Sequence, residues 1–96
     1  MSHYIVARIT IEDRSEYTKY EAGFVDVFRA YQGIVLSVDE APVVLEGSWP
    51  CTRTVLLEFP SADAAMGWYQ SDAYQQLAQH RFAASAGDVV MISGLP

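Results

Sequence analysis

The chain has 96 residues, 51% hydrophobic and 19% charged, which is typical of a folded globular domain and too apolar for a disordered chain. Its six basic residues are scattered among twelve acidic ones, and the net charge of −6 repels nucleic-acid phosphates and anionic lipids. We therefore expect no nucleic acid and no membrane among its partners. The opening residues do not resemble a signal peptide, and the lone Cys51 has no partner for an internal disulfide. We expect residues 1–96 to form a single cytoplasmic domain.

The first predicted strand runs from Tyr4 to Ile11, because this stretch is rich in β-branched residues. A helix should begin after Asp13, with Glu16 three residues later as in a capping box. Gly33 is the predicted left-handed end of this helix. The helix carries one apolar stripe at spacings of three, four and seven residues: Tyr17, Tyr20, Phe24, Val27, Phe28 and Tyr31.

The second and third predicted strands are separated by a long connection. Residues 34–40 form the second strand, and Thr52–Phe59 form the third, which ends at Pro60. Between them we predict a short extended stretch over Val43–Leu45. Connections of this length are often functional or serve association.

Two serine caps divide the next helical region. Ser61 begins one helix and Ser71 begins another, so we predict a break near Gln70 and a second piece that runs to about Ala84. Gly87 is then predicted to reverse the chain into a last strand. The order is β-α-β-β-α-β, which predicts an α+β, ferredoxin-like fold with an antiparallel sheet and both helices on one face.

The alternation of residues along the two central strands predicts which face the helices cover. The set facing the helices is Ile5, Ile9, Ile11, Val55, Leu57 and Phe59. The opposite face collects Tyr4, Val6, Arg8, Thr10, Thr54, Leu56 and Glu58. A solvent-facing antiparallel sheet normally shows polar residues outward, whereas this face is mixed. We therefore predict that a second copy of the chain covers it in a homodimer, which could also enclose a cavity.

Several segments resemble the bacterial proteins of the domain of unknown function 1330. The similarity spans essentially the whole chain and is most specific in "EGSWP" from Glu46, "EFPS" from Glu58, "WY" at Trp68 and "SDAY" at Ser71. The resemblance implies the dimeric α/β-barrel superfamily, in which two ferredoxin-like sheets face each other. That superfamily includes cofactor-free monooxygenases, isomerases and haem-degrading enzymes, whereas this family has no assigned reaction.

Arg8 and Glu58 are the first candidate site residues, because both are predicted on the covered face, where an unpaired charge is costly. One interpretation is a structural ion pair inside the dimer. The other is a ligand site, in which Arg8 anchors an anionic or polar group and Glu58 acts as acid or base. The register of the two strands decides whether these residues touch.

Trp68 and Tyr69 are candidate pocket residues, together with Tyr4 on the covered face. Neighbouring helical residues point about 100° apart, so one aromatic ring should pack on the sheet with Ala65. The other should face a pocket mouth or the neighbouring subunit.

His80 is the third catalytic candidate, although a lone histidine on an amphipathic helix is more often structural. In haem-degrading relatives, as the resemblance implies, a tryptophan and a histidine lie ten residues apart; from Trp68 that spacing reaches Ala78. In the long connection, Glu46 and Trp49 are candidates for an arm that touches the partner chain. The histidines, the cysteine and the carboxylates show no metal-ligand spacing, so we expect no metal and no cofactor.

The sequence therefore leaves three functions open. The first is a homodimer that binds a small, partly apolar molecule in a cavity between the helices and the sheet, with cofactor-free proton-transfer or oxygenation chemistry by Glu58, Arg8 and His80. The second is a non-catalytic binding or structural dimer. The third, with the least support, is a haem-degrading monooxygenase.

Overall fold

The fold was obtained as a computed structural model that describes all 96 residues. Its elements follow the order β-α-β-β-α-α-β: β1 (His3–Ile11), α1 (Arg14–Arg29), β2 (Ile34–Asp39), β3 (Arg53–Phe59), α2 (Ala62–Gln70), α3 (Asp72–Ala84) and β4 (Ser85–Ser93). The four strands form one antiparallel sheet in the order β2-β3-β1-β4. The ferredoxin-like fold and the central position of β1 and β3 are therefore as predicted.

The N-terminal end of α1 is fixed by Asp13, as expected. Its carboxylate accepts a hydrogen bond from the backbone N–H of Glu16 at 3.1 Å, which satisfies one of the free donors of the first turn. That hydrogen bond also holds the pKa of Asp13 below its usual value. The Glu16 side chain does not complete a capping box but contacts Lys19 and His80.

The end of α1 differs from the prediction. The left-handed residue is Gln32, with φ of 63°, and not Gly33. Gly33 is required for a different reason: a Cβ atom there would lie 2.3 Å from the ring of Phe28. The missing side chain thus makes room for a core aromatic ring.

Ser71 separates α2 from α3, which confirms the predicted break. Its hydroxyl donates to the carbonyl of Trp68 at 2.8 Å and accepts from the backbone N–H of Tyr74 at 3.1 Å. Its extended backbone, with ψ of 146°, turns the chain between the two helices. One residue therefore ends one helix and begins the next.

Two predictions about the irregular segments are wrong. Residues 43–45 form no extended element, because the connection from residue 40 to residue 52 lies outside the sheet. Gly87 does not reverse the chain: β4 begins directly at Ser85, and Gly87 lies within it, opposite Ile9. A Cβ atom at Gly87 would approach the Arg8 carbonyl to 2.4 Å, so close strand contact explains this glycine.

The hydrophobic core lies between the sheet and the three helices. From the sheet it takes Ile5, Ala7, Ile9, Leu57 and Phe59, and from the helices Tyr17, Tyr20, Phe28, Ala65, Trp68, Tyr74, Ala78 and Ala84. Ile11 and Val55 pack against its margin. The predicted alternation is thus confirmed for β1 and β3.

No helix covers the opposite face of the sheet. Cross-strand neighbours share a face, so the rows Tyr4–Ile92, Val6–Val90 and Arg8–Asp88 continue this outer face onto β4. Val90 and Ile92 are about half exposed. The outer face therefore carries an apolar strip along three strands, with a charged row at one end; the strip consists of Tyr4, Val6, Leu56, Val90 and Ile92.

Candidate functional site

A cavity of about 290 Å³ lies between α1, α3 and the inner face of the sheet. Fourteen of its seventeen lining residues are hydrophobic. The exposed valines Val25, Val35 and Val38 mark its mouth, where α1 passes over β2. A mostly apolar cavity with a few polar groups is the usual form of a small-molecule site, and this volume is near the lower end of the usual range of about 300–1,000 Å³.

An ion-pair network lies at the mouth of the cavity. The Nη1 atom of Arg53 is 3.3 Å from Glu21 and 3.0 Å from Glu40, which also pairs with Arg14 at 3.1 Å. The guanidinium of Arg53 also lies over the ring of Tyr17, 5.4 Å from its centre. Hydrogen bonds from Arg53 and then Arg14 keep the pKa of Glu40 below its usual value. The positive charge of Arg53 is thus balanced by carboxylates.

Two tyrosine hydroxyls meet inside the cavity. The hydroxyl oxygens of Tyr20 on α1 and Tyr74 on α3 are 2.7 Å apart, and both residues are buried. Burial raises the pKa of Tyr20 above its usual value, and the adjacent Tyr74 adds to this, so the hydroxyl stays protonated. Two hydroxyl hydrogens serve one mutual hydrogen bond, which leaves one hydrogen free for a ligand.

Arg81 is the unbalanced charge of the cavity. The residue is only 7% exposed, yet none of the ion pairs in the chain includes it. Its guanidinium instead lies 5.8 Å from the ring centre of Tyr20 and 4.8 Å from that of Phe82. Burial disfavours the charge, whereas Tyr74, which also hydrogen-bonds to Arg81, and Tyr20 raise the pKa of Arg81. A tyrosine exerts a negative charge only at the high pH where it ionises, so at neutral pH no counter-charge faces Arg81. Arg81 is therefore a cation that only aromatic and hydroxyl groups face.

Trp68 contributes a second polar group without a partner. The residue is 2% exposed, and its indole Nε1 is buried without a hydrogen-bond partner. Its ring lies 4.2 Å from the ring of Tyr74 and 5.4 Å from that of Phe59. Buried N–H groups nearly always have a partner, so this N–H is a donor beside the cavity that a bound acceptor atom would satisfy.

Arg8 and Glu58 do not touch. Glu58 is opposite Tyr4, whereas Arg8 is opposite Thr54, four residues further along β1, which separates the pair by roughly 13 Å. Arg8 pairs instead with Asp88 of β4, at 2.8 Å. Both residues lie on the outer face, so neither lines the cavity.

The other predicted site residues are divided between the two faces and the surface. Trp68 lines the cavity, whereas Tyr69 packs on Trp68 without lining it, and Tyr4 lies on the outer face. His80 is on the protein surface, with its Nδ1 atom 3.2 Å from Glu16. The lining contains no histidine, so the site gives the haem alternative no support.

The arm between β2 and β3 folds back onto its own sheet. The indole N–H of Trp49 donates to the Thr54 hydroxyl at 2.9 Å, and Arg8 lies over the Trp49 ring, 5.1 Å from its centre. Glu46 is exposed beside an open hollow on this arm. The arm thus borders the outer face, and its contact with a partner chain stays a prediction.

The sequence reasoning missed Tyr20, Tyr74 and Arg81 as a site. One signal was present: Tyr74, Ala78 and Arg81 recur at spacings of four and three residues, which puts a cation on the buried stripe of α3. The hypothesis of a ligand cavity between the helices and the sheet agrees with the position of this cavity, whereas the cavity suggested at the dimer seam stays a prediction.

No three residues among the histidines, cysteine and carboxylates are arranged to hold a metal ion. None of the helices combines the length and the apolar character that crossing a membrane requires.

Comparison with known proteins decides the family. Residues 2–95 match the profile of the domain of unknown function DUF1330. The chain belongs to the DUF1330 family. This confirms the resemblance found in the sequence. The DUF1330 chain matches no curated protein.

Solved structures share the fold at low sequence identity. A protein of unknown function from Rhodopseudomonas palustris superimposes with a TM-score of 0.83 at 17% identity, over 99% of this chain and 83% of that one. SnoaB, a cofactor-independent oxygenase from Streptomyces nogalater, gives 0.68 at 14% identity, over 99% and 94% of the two chains. An antibiotic biosynthesis monooxygenase gives 0.61 at 17% identity over both full lengths. At these identities the comparisons establish the ferredoxin-like fold alone.

Proposed function

We propose that this DUF1330 protein binds a small, largely apolar molecule in the cavity between α1, α3 and the sheet. The observation that carries the proposal is the cavity itself, which combines an apolar lining with the Tyr20–Tyr74 hydroxyl pair and the unpaired Trp68 N–H. A side-chain-filled interior would have closed this space, because protein cores normally pack without voids of this size.

The chemistry we propose is cofactor-free proton transfer or oxygenation. The free hydroxyl hydrogen of the tyrosine pair would donate to a ligand carbonyl oxygen, which favours loss of a proton from the neighbouring carbon to water. The resulting enolate can react with O₂, and the complete reaction converts one CH₂ group and one O₂ into one carbonyl and one water. The likeness to SnoaB, a cofactor-independent oxygenase, supports this part of the proposal.

Binding is tested with N-phenyl-1-naphthylamine, a neutral apolar probe that fluoresces when it leaves water. Val25 is half exposed at the mouth, so Val25→Trp should block entry without disturbing the core. We expect the probe to bind the wild-type protein and to bind the variant at least about tenfold more weakly, a loss of about 1.4 kcal/mol. Val43→Trp, on the exposed arm away from the cavity, is the matched control. Equal binding by all three proteins would contradict a cavity site.

Catalysis is tested with anthrone, a tricyclic ketone with an acidic CH₂ group. Deuterium exchange at this carbon, followed by NMR under nitrogen with EDTA present, reports proton transfer separately from oxygenation. O₂ uptake in air reports the second step. We expect the wild-type protein to exchange deuterium faster than the blocked variant Val25→Trp does, and Tyr74→Phe to lose this acceleration. If the probe binds but neither signal exceeds that control, the non-catalytic binding alternative is correct.

We also propose that two copies pair through the outer faces of their sheets. The chain is a slab of 33 by 31 by 16 Å, so this broad face is large enough for the roughly 800 Å² per chain of a standard interface. The apolar strip of this face would be covered there. The Arg8–Asp88 pair at one end of the strip is self-complementary in charge, which suits a twofold interface.

The pairing is tested by light scattering at micromolar concentration. We expect a mass of about twice the 10.7 kDa of one chain. Val90→Asp should give the single-chain mass, because it buries a carboxylate in the apolar strip. Val25→Asp is the matched control, since Val25 and Val90 are similarly exposed (50% and 53%) but lie on opposite sides of the chain. A wild-type protein of 10.7 kDa would contradict the pairing.

A further inference from the structure

The polar atoms of the cavity that lack a partner are all hydrogen-bond donors. They are the indole N–H of Trp68, the Nε–H of Arg53 and the free hydrogen of the tyrosine pair, and Arg81 adds a guanidinium that no carboxylate pairs with. The carboxylate in the lining, that of Glu21, already pairs with Arg53. A ligand can complement such a lining only by supplying acceptor atoms.

The same groups form one continuous cluster. The Tyr74 ring is 4.2 Å from the Trp68 ring, the Tyr74 hydroxyl is 2.7 Å from that of Tyr20, and Arg81 lies over the Tyr20 ring. The donors are thus close enough together for one polar group of a ligand to meet several of them. The valine-lined mouth would then receive the apolar part.

The charge of Arg81 favours an anionic ligand over a neutral one. A buried cation without a carboxylate partner is costly to desolvate, and aromatic contacts offset only part of that cost. Arg53, the arginine at the mouth, is balanced by two carboxylates. Arg81 has none, although the chain has an excess of acidic residues. A negative group on the ligand would complete the site.

We infer that the cavity selects largely apolar molecules that carry one anionic oxygen group, a carboxylate or the conjugate base of an acidic phenol or enol, held by Arg81 with Trp68 and the tyrosine pair. This inference rests on the proposed ligand site and names the class of ligand. The oxygen group would lie on the donors, and the apolar part would extend toward Val25.

The test compares 2-naphthoate with its neutral counterpart 2-naphthamide by titration calorimetry. We expect the wild-type protein to bind naphthoate at least about tenfold more tightly, since hydrogen bonds to charged groups are the stronger ones. A nitronaphtholate, ionised at neutral pH, shows whether a phenolate is held as well as a carboxylate. If the two probes of equal shape bind equally well, the cavity stands but the inference about charge is wrong. If neither binds, both the proposed function and the inference fail.

Variants test whether Arg81 is the group that selects the anion. Arg81→Met should abolish the preference for naphthoate and leave naphthamide binding within about twofold, while Arg81→Lys should restore part of the preference. Trp68→Phe should weaken naphthoate binding by about three- to tenfold, for one hydrogen bond. Arg29→Met removes an exposed charge outside the cavity and should change nothing. A preference that persists in Arg81→Met would overturn the role of Arg81.

Discussion

Replacing Arg81 should leave the empty protein as stable as before or make it more stable. The residue is 7% exposed and without an ion pair, so Arg81→Met removes a desolvated charge while keeping a long apolar side chain. Desolvation costs several kcal/mol, and the contacts with Tyr20 and Phe82 return about 0.5–2 kcal/mol each. We expect the free energy of unfolding to rise by about 1 kcal/mol, which corresponds to about 4–8 °C in Tm for a domain of this size.

Arg53→Met is the matched comparison. Arg53 pairs with Glu21 and Glu40, so its loss leaves Glu21 without a partner and Glu40 with Arg14 alone, and it should lower the free energy of unfolding by about 1–2 kcal/mol. Urea denaturation of both variants measures the two effects, provided that the slope of the free energy of unfolding against urea concentration is the same as in the wild-type protein. A loss of more than about 1 kcal/mol in Arg81→Met would refute the view that Arg81 is retained for a ligand.

The hydroxyl pair and two glycines give further predictions. Tyr20→Phe and Tyr74→Phe should each cost about 1–2 kcal/mol, and the double variant should cost at least about 0.5 kcal/mol less than their sum; additive urea-denaturation values would contradict the hydrogen bond. Because the pKa of Tyr20 is raised on folding, stability should hold below the ordinary tyrosine pKa of 10.0 and fall above it, when the unfolded chain loses this proton first. Above pH 10, the free energy of unfolding should fall with pH less steeply in Tyr20→Phe than in the wild-type protein, by up to about 1.4 kcal/mol per pH unit. An unchanged slope would argue against a raised pKa of Tyr20. Gly87→Ala should lower the free energy of unfolding by at least about 2 kcal/mol, because its Cβ would meet the Arg8 carbonyl. Gly67→Ala in α2, where a Cβ makes only ordinary contact, should raise the free energy of unfolding by about 0.5–1 kcal/mol. Thermal melts measure both variants, and similar effects would contradict the close strand contact.

Most of the fold could be predicted from local patterns. Serine and aspartate caps at Asp13, Ser61 and Ser71 placed three helix starts, and the alternation along β1 and β3 identified the buried face. These signals are short-range, because a cap or an alternating strand depends on neighbouring residues. The two misplaced glycines show the limit: Gly33 and Gly87 serve close approach to distant residues and not a local turn.

The site was harder to predict because it depends on register and on helix pairing. Arg8 and Glu58 were placed on the correct face, but only the pairing of β1 with β3 shows that four residues separate them and that Asp88 is the partner of Arg8. Likewise, Tyr20 and Tyr74 are 54 residues apart in sequence and meet only because α1 packs on α3. A single sequence contains no measure of such distances.

A crystal structure of the protein with 2-naphthoate would test the ligand site most directly. We predict density for the two rings in the cavity between α1 and the sheet, with the carboxylate within hydrogen-bond distance of Arg81 and the Trp68 indole N–H. Naphthoate bound only on the protein surface, or a cavity closed by its own side chains, would contradict this account.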